Sequence, residues 1–199
     1  MRQKGFSLIE LVITITVLTI LTLGVLPLVK VSVKRQKEQQ LRETLRQIRM
    51  AIDEFHRDTI GMVCTGVALQ GGQPPPGTMV IDPRSKVVIS DCTIFGVDNP
   101  DHYPPDLESL VNGVNVLPRN SAGGAGQPGV KATEVGQLAT KQKVYLRGLP
   151  IDPMTGKSDW DLRSSYDAAD AGSWGGENVF DVRSKSRDKA LNGENYSDW

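Results

Sequence analysis

The strongest pattern in the sequence is an apolar run of 24 residues, positions 6–29, that follows a short polar leader at positions 1–5. About 20 apolar residues in a helix are enough to span a bilayer. The many β-branched residues in the run are acceptable there, because a helix satisfies its own backbone groups in lipid. The run therefore predicts a transmembrane helix over residues 6–29. Glu10 is the only charged residue within it.

A second pattern follows, in which apolar residues recur every three or four positions. This spacing predicts one apolar stripe along a helix, with the charged residues mostly off the stripe. A coiled-coil seam is an alternative, but about two heptads are too few for one alone, and packing onto a sheet is favoured. The helix is expected to continue over residues 30–60, with Gly61 as a stop signal. The stripe consists of Leu41, Leu45, Ile48, Ile52 and Phe55.

The remaining residues, 61–199, predict a globular head that mixes short strands with loops. Strand-like runs lie at residues 78–81, 86–89 and 179–184, whereas the consecutive prolines at 74–76 cannot join a sheet. The predicted fold class is α+β, with one long amino-terminal helix packed on a small antiparallel sheet.

Glu10 does not fit the two simplest explanations of the apolar run. A secretory signal peptide has an apolar region of about 7–15 residues and a small-residue cleavage site after it, and neither is present here. A simple membrane anchor has no use for a carboxylate, which costs about 2.5–3.5 kcal/mol at the centre of a membrane-spanning helix. A charge in this position indicates a functional role and needs a partner.

The segment from Gly5 to Leu11, with the sequence GFSLIEL, resembles the prepilin peptidase site of type IV pilins and type II secretion pseudopilins. The resemblance implies that the leader is cut after Gly5 and that the new amino-terminal residue, Phe6, is N-methylated. It also implies that Glu10 pairs with the Phe6 ammonium group of a neighbouring subunit during assembly. Pro27 lies where many members of this family carry a proline that kinks the helix.

Basic residues lie on both sides of the apolar run, so the positive-inside rule does not fix its orientation. The resemblance implies a single-pass protein of the inner membrane, with the leader in the cytoplasm and the carboxy-terminal domain in the periplasm.

Three later segments are similar to the major pseudopilin of type II secretion. Residues 101–110 resemble its D-x-Y-P segment, where a short helix follows the long one. Residues 149–153 resemble its L-P-x-D-P turn. The carboxy-terminal loop, which ends in Asp198 and Trp199, is similar to a loop that binds calcium in that family.

Calcium takes six to eight oxygen ligands, several of them carboxylates. Asp188, Glu194 and Asp198 are the candidate ligands in the loop. The basic residues Lys185, Arg187 and Lys189 crowd the same loop and oppose cation binding, so a metal-free loop held by Trp199 packing is the alternative. No other cofactor is expected.

Two cysteines, Cys64 and Cys92, are close enough in sequence to form one disulfide in an oxidising compartment. Two unpaired thiols are the alternative.

Composition excludes some classes of function. The 23 Lys and Arg residues balance 23 Asp and Glu residues, which gives no electrostatic reason to expect nucleic-acid binding. Neither His56 nor His102 lies in a recognised catalytic motif. Asp161, Asp167 and Asp170 lie in turn-rich sequence, where aspartate usually serves turns. The chain is therefore not expected to be an enzyme.

The resemblance implies a structural subunit of a type II secretion pseudopilus, a periplasmic filament that drives protein export across the outer membrane. A type IV pilus subunit of a surface fibre for adhesion or motility is the alternative within the family. An alternative of another class is a single-span anchored binding domain that does not polymerise. The implied partners are further copies of the chain, minor pseudopilins, an inner-membrane assembly platform, prepilin peptidase and, before assembly, membrane lipid.

Overall fold

One helix, α1, runs from Leu8 to Thr59 and organises the rest of the chain. The structure, a computed structural model, describes residues 5, 7–60, 62, 82–118, 141–168 and 171–199, with the side chains of all of these except 24–28. Ile60, which follows the helix, is extended, so α1 ends one residue before the predicted boundary. The expected stop signal, Gly61, lies outside the described residues.

The first half of α1 presents its apolar side chains to the surroundings, whereas the second half carries the head. Among the residues that the structure describes, no helix combines the length and the apolarity that crossing a membrane takes. The predicted span, residues 6–29, extends over positions outside the description and stays a prediction. The boundaries expected for the leader and the head stay predictions as well.

Two small antiparallel sheets and a short helix form the described part of the head. The elements are β1 (Val87–Ile89), α2 (Leu107–Asn112), β2 (Val114–Pro118), β3 (Lys141–Lys143), β4 (Asp161–Arg163), β5 (Asp181–Arg183) and a 3-10 helix (Tyr196–Asp198). The first sheet has the order β1-β2-β3, with Val88 opposite Leu117 and Asn115 opposite Gln142. The second sheet pairs β4 with β5, with Leu162 opposite Val182.

The predicted α+β class is confirmed, and the arrangement is consistent with a pilin fold. Strands form within two of the predicted runs, 86–89 and 179–184, but both are shorter than expected. The run at 78–81 lies outside the described residues. The short helix expected near residues 101–110 is α2, whose first turn is capped by the Asp106 side chain, which accepts a hydrogen bond from the Ser109 amide at 2.6 Å.

The apolar stripe of α1 is the centre of the hydrophobic core. Its five residues, which the sequence predicts, are all at most 2 % exposed. They pack against strand residues such as Ile89, Val116 and Val182 and against Tyr196 near the carboxy terminus. Packing onto a sheet, and not a coiled-coil seam, is therefore the role of the stripe.

A buried carboxylate fixes the end of α1 to the first sheet. Asp58 is 1 % exposed and accepts hydrogen bonds from the Ser85 hydroxyl at 2.7 Å, the Lys143 ammonium at 2.6 Å and the Tyr145 hydroxyl at 3.0 Å. Burial, followed by the charge of Asp58, raises the pKa of Tyr145 far above its ordinary value. Burial opposes the charged form of Lys143, but its hydrogen bonds to Asp58 and Glu54 outweigh this and raise its pKa.

We expect Asp58→Ala to lower the free energy of unfolding by about 2–3 kcal/mol, because three donors lose a buried acceptor. Urea unfolding of the full chain in detergent, followed by circular dichroism, measures the loss. Glu54→Ala is the matched control. It removes only the other, half-exposed carboxylate at 2.6 Å from Lys143, and we expect it to cost less than about 1 kcal/mol. Equal losses for both variants would contradict the role of Asp58.

Candidate functional site

The amino-terminal half of α1 combines an apolar surface with hydroxyl groups that are satisfied within the helix. Each of its threonine hydroxyls donates a hydrogen bond to a main-chain carbonyl three or four residues earlier, at 2.7–2.9 Å. Such bonds remove the cost of placing a hydroxyl in apolar surroundings. The residues are Thr14, Thr16, Thr19 and Thr22.

Glu10 differs from these threonines. It lies in the first turn of α1, where a carboxylate is favoured by the helix dipole. Among the described residues, its side chain makes no hydrogen bond or ion pair and is exposed. Between Leu8 and Leu23 it is therefore the one polar side chain that the helix does not satisfy.

The apolar residues around Glu10 are not covered by the described part of the head. The large aliphatic side chains from Leu8 to Leu23 are between 49 and 82 % exposed. A contiguous apolar surface of this extent marks contact with a membrane or with other proteins. The isolated chain thus presents an apolar helix with one unpartnered carboxylate near its start.

The structure describes only part of the predicted processing and disulfide sites. Gly5 is exposed and precedes the helix, whereas Phe6 lies outside the described residues. Cys92 is disulfide-bonded and not a free thiol. Its predicted partner, Cys64, lies outside the described residues, so the Cys64–Cys92 pair stays a prediction.

A second group of charged side chains, on the middle of α1, holds the carboxy-terminal segment of residues 185–199. The Lys34 ammonium donates to the Lys189 carbonyl at 2.6 Å. One oxygen of Glu38 accepts from the Leu191 amide at 2.7 Å and from the Tyr196 hydroxyl at 2.9 Å. The segment is thereby tied to one side of the helix.

Two arginines extend these contacts along the helix. The Arg42 guanidinium lies over the Trp199 ring, 4.2 Å from its centre. Arg49 pairs with Asp181 at 2.6 Å and donates to the Trp199 carbonyl at 2.5 Å. Stacking and a bidentate fork are geometries that arginine, but not lysine, provides. Sequence reasoning missed these contacts, although the spacing of four and seven residues between the charges was a usable signal.

The three candidate calcium ligands do not converge in this structure. Glu194 accepts hydrogen bonds from the Asn192 amide at 2.7 Å and the Trp199 indole at 3.1 Å, and Asp198 accepts one from Asn195 at 3.0 Å. In the described part of the chain, no group of three His, Cys, Asp or Glu side chains is arranged to hold a metal ion. Calcium binding at Asp188, Glu194 and Asp198 stays a prediction.

The histidines and the turn aspartate have structural partners. His56 stacks on Tyr103 with ring centres 4.1 Å apart, and His102 meets the ring of Phe95 edge-on. Burial and the charge of His56 lower the pKa of His102. The Asp167 carboxylate accepts from the main-chain amides of Ser164 and Gly175, which is the turn role expected from the sequence.

One match to a known family model covers Gly5, Glu10 and the apolar start of α1 together. Residues 1–26 match the prokaryotic N-terminal methylation motif. This motif is a type IV pilin-like signal, and it implies a membrane-anchored precursor that prepilin peptidase processes and that assembles into polymers. It supports a pilin-like, structural assignment. No curated protein and no solved structure matches the chain significantly.

The contact between Tyr196 and Glu38 predicts a dependence of stability on alkaline pH. Burial, followed by the hydrogen bond and charge of Glu38, raises the pKa of Tyr196 to about 12. An unfolded tyrosine titrates near 10. The neutral, docked form therefore adds stability that is fully present below about pH 10 and is lost as the pH rises toward 12.

We expect the free energy of unfolding of the wild type to fall more steeply between pH 10 and 12 than that of Tyr196→Phe, which cannot ionise. Urea unfolding at a series of pH values measures both slopes. At neutral pH the variant is expected to be less stable by about 1 kcal/mol, because one hydrogen bond is lost. Parallel pH profiles would show that Tyr196 is not docked as described.

Proposed function

We propose that this chain is the structural subunit of a type II secretion pseudopilus, which polymerises into a periplasmic filament and drives protein export across the outer membrane. The observation that carries the filament role is the unpartnered carboxylate of Glu10 on residues 8–23 of α1, where the other described side chains are apolar or hydrogen-bonded within the helix. The methylation motif at residues 1–26 supports the same role.

The assembly mechanism follows from this carboxylate. Cleavage after Gly5 leaves Phe6 with a free, then methylated, ammonium group. In apolar surroundings two opposite charges attract strongly and are costly apart. A helix that enters the growing filament would place its Phe6 ammonium against the Glu10 carboxylate of a neighbour. This pairing favours a subunit in register over a shifted one, and the apolar helices around it form the filament core.

The choice of a pseudopilus within the pilin-like proteins rests on the later segments. In the L-P-x-D-P turn, Asp152 is buried and accepts hydrogen bonds from the Ser184 hydroxyl and the Met154 amide, both at 2.7 Å. The Trp160 indole donates to the Pro150 carbonyl at 3.1 Å. The turn is thus an integral support of the second sheet, and the pseudopilin assignment rests on the resemblance of its sequence.

The proposed partners are further copies of this chain, minor pseudopilins, prepilin peptidase, an inner-membrane assembly platform and membrane lipid before assembly. The proposed location is the inner membrane, in a single pass, with the head in the periplasm. A surface pilus subunit for adhesion or motility is the second candidate, because the methylation motif serves both kinds of filament.

Changing Glu10→Leu tests the filament role. We expect membrane insertion to be unchanged or better, because a charge is removed from the apolar run, and filament yield to fall at least about tenfold, because the charge pair that sets register is lost. Electron microscopy and the yield of sheared filaments measure assembly. Unchanged removal of the leader after Gly5, seen as a mass shift, is the control that peptidase recognition is intact. Filaments of normal length and yield from this variant would refute the pairing.

Deletion of the subunit distinguishes a pseudopilus subunit from a surface pilus subunit. We expect secretion of exported enzymes to be lost while surface fibres stay intact, because a pseudopilus acts within the periplasm. Enzyme activity in the culture medium and fibre counts on the cell surface are scored on the same cells. Loss of fibres with normal secretion would identify a surface pilin instead.

A further inference from the structure

One side of α1 carries a row of arginines that we call the arginine face. Its members are spaced by seven, four and three residues, which places them on the same side of a helix. All are exposed except Arg49, which is partly buried in its pair with Asp181. The arginine face consists of Arg35, Arg42, Arg46 and Arg49.

Much of the arginine face lacks a partner in the part of the chain that the structure describes. Among the described residues, Arg35 and Arg46 make no ion pair or hydrogen bond. Met50, four residues after Arg46, has 57 % of its surface exposed. A cleft of about 480 Å³ opens beside Arg46 and Met50, and the carboxylates of Asp53 and Glu194 also line it. The helix thus offers arginine side chains without a described partner, next to a groove of mixed charge.

The head carries the opposite charge at its far end, on a segment that we call the acidic edge, residues 91–108. This segment contains five carboxylates and no lysine or arginine, and none of the carboxylates forms an ion pair among the described residues. The five are Asp91, Asp98, Asp101, Asp106 and Glu108.

Ring contacts fix the acidic edge near the end of α1. Tyr103 stacks on His56 with ring centres 4.1 Å apart, and Phe95 meets Phe55 at 6.0 Å. A helix rises by about 1.5 Å per residue, so His56 lies roughly 30 Å beyond Arg35 and roughly 15 Å beyond Arg46 along the helix axis. The acidic edge is therefore held away from the arginine face of its own molecule.

We propose that the arginine face binds the acidic edge of a second copy of this chain, displaced along the helix direction by roughly 15–30 Å. The contact joins two different surfaces of parallel copies that are displaced along the helix direction, so it cannot close into a two-fold dimer or a ring and repeats along an open filament. Complementary charge suppresses wrong registers and speeds encounter more than it adds affinity. This inference rests on the proposed function and names the surface by which the heads of neighbouring subunits recognise each other.

Anionic lipid is the competing partner for a basic helix next to a membrane. Arg46 lies 17 positions after Val29, which is roughly 25 Å along a helix. This exceeds the Debye length of about 8 Å at physiological ionic strength. The outer part of the arginine face is therefore too far from a bilayer surface to be attracted by it, and a protein partner is favoured.

The test uses charge reversal in the full chain, expressed with prepilin peptidase and the assembly machinery. One variant reverses the arginine face with Arg35→Glu and Arg46→Glu. A second reverses the acidic edge with Asp98→Lys and Glu108→Lys. A third combines all four changes. The control is Arg147→Glu with Lys157→Glu, which makes the same change in net charge as the first variant at two exposed positions whose side chains have no described partner.

We expect each of the first two variants to lose filament yield roughly tenfold, because like charges then meet across the contact. The combined variant should recover most of the yield, and the control should assemble normally. Membrane content of each subunit is measured in parallel and should not change.

Other outcomes overturn the proposal in distinguishable ways. Absence of filaments from the wild type would refute the proposed function itself. If the wild type forms filaments and both the arginine-face variant and the acidic-edge variant assemble normally, the docking contact is overturned and the filament role stays intact. Two results together would indicate lipid binding. The first variant would bind phosphatidylglycerol vesicles more weakly than the wild type does, with no such difference on phosphatidylcholine vesicles, and the combined variant would fail to assemble. That result would also overturn the docking contact.

Discussion

The structure depends on the burial of one apolar stripe on a single long helix. Each fully buried Leu, Ile or Phe of that stripe contributes about 1.5–3 kcal/mol, and all five lie in the second half of α1. The described part of the head packs there, and no comparable buried cluster lies elsewhere among the described residues. No described part of the chain covers the first half of the helix. This division makes the isolated subunit incomplete, because an apolar helical surface is left for a membrane or for other subunits.

Charged residues then decide how the head is oriented on the stripe. The stripe alone allows the head to slide or rotate, since apolar contacts are not directional. Asp58 fixes one end through Ser85, Lys143 and Tyr145, whereas Glu38 and Arg49 fix the carboxy-terminal segment at the other. These hydrogen bonds are directional and pair groups far apart in sequence. They therefore select one orientation of the head on the apolar stripe.

The stripe and the α+β class could be predicted from the sequence, because helical periodicity is a local signal that survives without knowledge of the tertiary structure. The partners of Asp58, Glu38 and Arg49 could not, since each bond joins residues more than twenty positions apart. Of the candidate site, too, one part is visible in the sequence and another is not. The unusual position of Glu10 in an apolar run is visible in the sequence. The composition of the carboxy-terminal loop suggests calcium ligands, but it does not reveal that Glu194 and Asp198 accept hydrogen bonds from donors within that loop.

Two charge contacts of different strength would then govern assembly. The pairing proposed for Glu10 lies among apolar helices, where a charge without its partner is costly, so it acts as a strict requirement on register. The contact proposed for the arginine face lies in water, where each exposed pair contributes about 0–1 kcal/mol and is weakened by salt. Several weak ion pairs can orient the head of an incoming subunit, and they still let a wrongly placed subunit dissociate. A filament built this way would be sensitive to ionic strength in how fast subunits join, but much less so in how tightly they stay, because the buried pair is shielded from salt.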